Sequence, residues 1–232
     1  LELRAGLPEG RGVFARQEAV RHVLALGPDP EEVRRRFSKM HQRNIRKAEG
    51  TALEIRRGNA RADLETFYRL HLLTRRRLGV PIQPRRFFRL LADCLLAEDR
   101  GFVLSAHLDG APIAAAVFLT AGGTMVYKYG ASDQRYWEHR PNNLLFWAAI
   151  RWGCEAGYRT FDWGRTDLED EGLRGFKTGW GAREEPLVYT TIADAPPRPG
   201  SGRAKRALGD VIRRSPPLVC QILGETLYRY AA

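Results

Sequence analysis

Apolar residues recur at helical spacing along the first half of the chain. Asp29 to Gly50 reads as one helix. Asp29 caps it, Pro30 fits its first turn, Glu31 and Glu32 suit the positive end of its dipole, and Gly50 ends it in a left-handed conformation. Its apolar positions are sparse: Val33, Phe37, Met40 or His41, and Ile45. A short strand, Leu53 to Arg56, leads to a second helix, Arg61 to Leu78, where Leu64, Phe67, Tyr68, His71 and Leu72 share one face. Gly79 stops this helix and Pro81 prevents its continuation. A third helix follows Pro84, with Phe87, Phe88, Leu91, Cys94 and Leu95 as its buried stripe.

The period then shortens to that of strands. Gly101 to Leu108, Pro112 to Thr120 and Thr124 to Gly130 form an antiparallel meander, joined by the turn pairs Asp109-Gly110 and Gly122-Gly123. A polar loop, Ala131 to Arg140, leads to a helix from Pro141 to Gly157 and a strand from Arg159 to Trp163. The helical crossover makes that strand parallel to its neighbour. A short helix, Glu171 to Lys177, and a last strand, Pro186 to Ile192, complete the pattern. Ala195 to Gly202 has linker composition. In the tail from Arg203, Leu218, Val219, Ile222, Leu223, Leu227 and Tyr228 have helical spacing. The tail can pack on the body or on a missing domain, or lie on a membrane surface, and packing is expected rather than membrane contact.

The 232 residues are 44% apolar and 28% charged, an ordinary globular mixture. No apolar run is long enough for a membrane-spanning helix. The opening LELRAGLPEG has neither an apolar signal core nor an initiator Met, so the chain reads as a fragment or a trimmed form. Cys94, Cys154 and Cys220 are far apart and the five histidines are scattered, so no metal site or disulfide framework is expected and a reducing cytoplasm is the simplest setting. The net charge of +11 favours anionic partners without choosing among RNA, phosphates and acidic lipid.

Five motifs carry a family resemblance by their order and spacing: HQRNIRKAEG (His41 to Gly50), YGASD (Tyr129 to Asp133), RPNNLLFW (Arg140 to Trp147), FDWGR (Phe161 to Arg165) and GLRGFKTGWGA (Gly172 to Ala182). Together they resemble the FemAB-like branch of GNAT-fold acyltransferases, over roughly Val20 to Ile192. The resemblance implies an α/β (α+β) GNAT fold with a mixed, mainly antiparallel sheet whose fourth and fifth strands splay, leaving a wedge between Tyr127–Gly130 and Phe161–Trp163. It further implies a division into a remnant of a preceding GNAT-like domain (1–29, its last strand near His22 to Leu26), a basic connecting helix and strand (30–58), a GNAT-like acyltransferase domain (59–194), and a linker with a helical tail (195–232). The implied activity is acyl or aminoacyl transfer to an amine by direct attack, in cell-envelope peptidoglycan or polysaccharide synthesis, in the cytoplasm or at the inner membrane face. The implied donor is aminoacyl-tRNA or acyl-CoA, with no tightly bound cofactor, and the acceptor is an amine-bearing envelope precursor. One departure bears on the donor: the loop Gln134 to Asn143 contains no glycine, unlike the Q/R-x-x-G-x-G/A loop with which many GNAT enzymes hold the CoA pyrophosphate.

Each candidate residue has a functional and a plain reading. Lys177 can stabilise an oxyanion or hold a donor phosphate, as a matching lysine does in the resembled family, or it is a solvated turn lysine. Asp162 can accept the amine's proton or bond nearby loop N–H groups. Tyr129 can act as an acid or positioner, or pack in the core. Arg165 can clamp an anion or pair with Asp162 or Asp167. Ser132 follows the fourth strand and can reach the reacting centre; Asn142 and Asn143 open a helix, where capping accounts for one of them. Trp163, Phe176 and Trp180 can stack on a nucleotide or fill the core. Arg43, Arg46 and Lys47 form an anion- or RNA-binding face or a solvated one. The competing reading of the whole is a basic RNA- or membrane-surface-binding module with an inactive GNAT core.

Overall fold

The computed structural model describes residues 1–8, 10–195 and 202–228. A short strand β1 (Glu2–Leu3) and a long strand β2 (Val13–Ala25) precede two helices, α1 (Pro30–Arg35) and α2 (Lys39–Glu49). Then come β3 (Glu54–Gly58), α3 (Arg61–Leu78) and α4 (Arg85–Leu91). The meander is β4 (Gly101–Leu108), β5 (Ala111–Ala121) and β6 (Thr124–Ser132), followed by α5 (Pro141–Glu155), β7 (Thr160–Asp167), α6 (Glu171–Thr178) and β8 (Arg183–Ile192). The tail holds α7 (Gly202–Arg214) and α8 (Pro217–Leu227). The strands form a single sheet in the order β1-β8-β2-β7-β6-β5-β4-β3. Among the described residues only β6 and β7 pair in parallel, so the sheet is mixed and mainly antiparallel as the family resemblance implies.

Alternation along the strands supplies apolar side chains to both faces of the sheet. One face packs under α1, α2 and α5, with Phe118, Phe146, Phe161 and Trp163 at its centre. The other packs under α3, α4 and the tail, around Phe67, Tyr68, Phe88 and Val117. Both meander turns use positive φ, at Asp109-Gly110 and Gly122-Gly123, as those dipeptides favour. The segment assigned from sequence to a preceding domain enters this sheet as β2, between β7 and β8.

Several local expectations are corrected. The helix read over Asp29 to Gly50 is two helices, because the chain breaks at Phe37-Ser38. Phe37 turns inward, edge-on to Trp180 at 5.0 Å. The Ser38 N–H then donates to Gly179 O (2.7 Å), and its hydroxyl accepts from His41 N–H to start α2. His41 fills the apolar stripe, whereas Met40 faces solvent. Gly50 has φ −81°, so no left-handed stop is used. After α4 the chain takes a π-helical turn, Ala92–Leu96, which rotates the register. The buried stripe is therefore Phe88, Leu91, Ala92 and Leu96, while Cys94 is exposed and Phe87 is 38% exposed. The linker expected over Ala195 to Gly202 lies mostly outside the described residues.

The tail packs on the body. Ile212 and Cys220 are fully buried beside α3. A Cβ on Gly224 would meet the carbonyl oxygen of Ile82, so α8 approaches as closely as a glycine allows. Gly224→Ala is expected to destabilise the fold by about 1–3 kcal/mol, read as a lowered midpoint in denaturant unfolding.

Candidate active site

β6 and β7 share register for only three positions, Thr124–Thr160, Met125–Phe161 and Val126–Asp162. Beyond these they part, and a cleft of about 530 Å³ opens between them, closed by the last turn of α3, the start of α5 and α6. Six of the residues proposed from sequence line it: Ser132, Asn142, Asn143, Trp163, Phe176 and Lys177.

Lys177 sits in the last turn of α6, a helix started by Asp170, whose carboxylate accepts from Leu173 N–H (2.9 Å). The lysine is 4% exposed, so the solvated-turn reading does not apply. Its Nζ donates to Gly164 O (3.2 Å) and Arg165 O (3.1 Å). An ammonium has three donors, which leaves one for the cleft. Burial lowers its pKa to about 8, against an opposing pull from Asp162 and Asp170.

Asp162 is outside the cleft lining. β7 bulges opposite β2, where Arg165 and Asp162 face Arg21 and Val23, so Trp163 and Gly164 both oppose His22. Gly164 takes φ 72° in this bulge. Asp162 Oδ1 accepts from its N–H at 2.7 Å, and Oδ2 lies 3.9 Å from Arg21. Asp162 therefore holds the bulge that presents two carbonyls to Lys177, which is the loop-binding reading of that residue. Arg165 also lies away from the cleft: it pairs with Asp167 at 2.5 Å and stacks over Tyr189.

Ser132 is buried, and its Oγ accepts from Trp137 Nε1 (2.9 Å) and Asn142 Nδ2 (3.2 Å). Asn143 reaches inward instead, and its Nδ2 donates to His41 Nδ1 (3.1 Å). His41 Nε2–H in turn donates to Phe176 O (2.9 Å), the carbonyl just before Lys177. These two bonds assign the neutral Nε2–H tautomer, in keeping with a pKa that burial lowers. The imidazole stacks on Trp180 at 4.5 Å, and Trp180 is fully buried, so that tryptophan is core and unavailable to a nucleotide. Trp163 is 1% exposed and lines the cleft with its indole N–H unpartnered among the described residues.

Tyr129 faces the opposite side of the sheet, among Phe67, His71 and Phe88. The cleft tyrosine is Tyr127. A bulge at Lys128 pairs Tyr129 with Val117 and Tyr127 with Phe118, so two residues that alternate to the same face in a regular strand point to opposite faces. Burial pushes the Tyr127 hydroxyl up to about 12. Gly130 is required beside it, since a Cβ there would collide with that hydroxyl. Arg43 and Arg46 line an open surface hollow on α2, next to Lys39, and Lys47 is exposed on the same helix; none of them lines the cleft. Among the described residues none of these four makes an ion pair.

The family description "Acetyltransferase (GNAT) domain" matches residues 35–178. The chain belongs to this GNAT family. It is 32% identical over 90 residues to the lipid II:glycine glycyltransferase of Staphylococcus haemolyticus, and 31% identical over 92 residues to that of Staphylococcus aureus. These stretches cover 36% and 37% of this chain and 22% of each relative. Among solved structures, FemX superposes with a TM-score of 0.69 at 17% identity, covering 75% of this chain and 62% of FemX. L-PGS from Bacillus licheniformis gives a TM-score of 0.57 at 12% identity, over 92% of this chain and 68% of that one. Both likenesses concern the GNAT fold.

The buried lysine has a pH signature. Its pKa is about 8 when folded and 10.5 when free, so between these values the unfolded chain holds the proton and the folded one releases it. Stability of the parent relative to Lys177→Met is therefore expected to rise as pH goes from 8 to 10.5, measured by paired denaturant unfolding.

Proposed function

We propose that this GNAT-family chain transfers an aminoacyl or acyl group to an amine of a cell-envelope precursor by direct attack within a ternary complex. The observation that carries the reading is Lys177: a buried cation with one unspent N–H at the point where the parallel strands part. As the amine attacks the acyl carbonyl, negative charge grows on its oxygen, and a fixed cation in a water-poor cleft stabilises that charge strongly. Tyr127, with its raised pKa, stays protonated at neutral pH. Its hydroxyl can hand its proton to the leaving oxygen or sulfur while taking one from the attacking amine, which balances the transfer without a carboxylate. Asp162 keeps the strand bulge in place.

An aminoacyl-tRNA donor fits better than acyl-CoA. Several amides of the glycine-free turn are used internally: Arg135 N–H and Tyr136 N–H bond to Asp133, and Asn143 N–H bonds to Arg140 O. The unpaired basic face of α2 is suited to the phosphates of an RNA donor. Relatives named as lipid II glycyltransferases support an amine-bearing envelope acceptor. We place the reaction in the cytoplasm or at the inner membrane face; no helix of the described residues is long and apolar enough to cross a membrane.

A mass-spectrometric screen of aminoacyl-tRNA against acyl-CoA, with envelope precursors as acceptors, tests the reaction. Lys177→Met is expected to lower kcat by about 10²–10³-fold, and normal turnover in that variant would refute the lysine's role. In the parent, kcat is expected to fall as pH rises through about 8, where Lys177 loses its charge. Tyr127→Phe is expected to slow transfer by about 10²-fold or more, whereas Tyr129→Phe is expected to leave kcat within about twofold, because its ring faces away from the cleft.

A further inference from the structure

Lys177 belongs to a helix that has little else to hold it. α6 has eight residues, two of them the glycines Gly172 and Gly175, and only Arg174, Phe176 and Lys177 are not exposed. A helix this short is marginal on its own, and glycine weakens it further. The place of the lysine is therefore set by what grips α6 from outside. His41 holds it at Phe176 O. A second grip is on Arg174, one turn before the lysine.

The Arg174 guanidinium forks onto Glu184 of β8, Nε to Oε1 at 2.9 Å and Nη2 to Oε2 at 2.8 Å, and its Nη1 donates to Leu168 O at 3.2 Å. Glu184 pairs across the sheet with His22 of β2. His22 Nε2–H donates to the same Oε1 at 3.1 Å, and Thr166 Oγ1 lies 3.5 Å from its Nδ1. The imidazole is fully buried. It lies opposite the β7 bulge, whose Gly164 and Arg165 carbonyls seat Lys177. The charged groups around it are Lys177 and Arg174 from α6 and Glu184 from β8. Burial first and the Lys177 charge second lower its pKa, against the pull of Glu184, so the ring is neutral at neutral pH. A protonated ring there would add a third cation beside Lys177 and Arg174.

We infer that His22 is a positioning residue for Lys177: as a neutral donor to Glu184 it fixes the Arg174 fork, and with it the helix that seats the lysine, dry, on its two carbonyls. His22 and Glu184 both lie on strands outside the family-matched segment, 35–178. The consequence for catalysis rests on the acyl-transfer reading; the seating of the lysine does not.

The titration of Lys177 itself reads the seating. The chain has five lysines, few enough to follow each by heteronuclear NMR of the lysine-labelled full chain, with Lys177→Met assigning the signal. In His22→Ala water reaches the ammonium, and its acid dissociation constant is expected to fall at least about tenfold, from the parent pKa of about 8 toward the free value of 10.5. Glu184→Ala, at a partly exposed position, is expected to lower the constant as well, by about threefold or more. Loss of a carboxylate acting through charge alone would raise it instead. His22→Gln keeps a neutral donor and acceptor and is expected to hold the constant within about twofold. Ile212→Ala, which opens a cavity under the tail on the other face of the sheet, is expected to do the same. The inference is overturned by an unchanged or raised constant in Glu184→Ala, by an unchanged one in a folded His22→Ala, or by a shift in His22→Gln or Ile212→Ala as large as that in the alanine variants of the pair. The alkaline limb of kcat is expected to move with the titration while KM holds within about twofold. A limb that stays put while the titration moves would count against the acyl-transfer role of Lys177 and leave the seating intact.

Discussion

Where two parallel strands part, each backbone N–H and C=O that faced the neighbour needs another partner. β6 and β7 part after Val126 and Asp162, and the groups around the opening answer that need. Lys177 takes the carbonyls of Gly164 and Arg165, and Asp162 takes the Gly164 N–H. Thr74 bonds both the N–H and the carbonyl of Ser132 on the other strand. The proposed catalytic cation is thus also a stand-in for a missing strand. That double duty accounts for its burial, and burial accounts for a pKa low enough to matter near physiological pH.

A second constraint keeps Lys177 where it is. His41 bonds Asn143 on α5 and Phe176 on α6, stacks on Trp180, and leaves no room for a side chain at Gly179. Ser38 adds a backbone bond to Gly179. The inner face of the basic helix α2 therefore fixes the segment that carries the lysine, while its outer face presents Lys39, Arg43 and Arg46 to solvent. The basic outer face and the lysine held inside are thus linked by one helix. The tail plays the matching part on the other face of the sheet, where α7 and α8 cover α3 and bring Arg213 to the edge of the cleft.

Much of this was legible in the residues. Turn glycines, the Asp29 cap, Pro141 at the start of α5 and the periodicity of α3 reported local conformations, and the local conformations followed. The ordered motifs pointed to the family and to the wedge, and Lys177, Ser132, Asn142, Asn143, Trp163 and Phe176 all reach the cleft. Tyr129, Asp162, Arg165 and Trp180 do not. In each case the local signal was compatible with two environments. The choice between Tyr127 and Tyr129 turned on a single extra residue at Lys128, and a one-residue slip exchanges the faces of a strand. His41 had a signal, its place in the apolar stripe of a basic helix, but its two bonding partners lie more than a hundred residues away.

The sequence by itself determined most element types, the order of the meander, crossover helix and last strands, and the sheet's mixed character, which follow from spacing and capping chemistry among near neighbours; the family followed from the resemblance that five ordered motifs carry. Only the tertiary structure decided which tyrosine faces the cleft, which carboxylate is occupied with a bulge, and that the tail belongs to the site's surroundings. Bulges, the π-helical turn and the parting of β6 from β7 are set by strand pairing and packing between distant segments, and no window of adjacent residues contains that information.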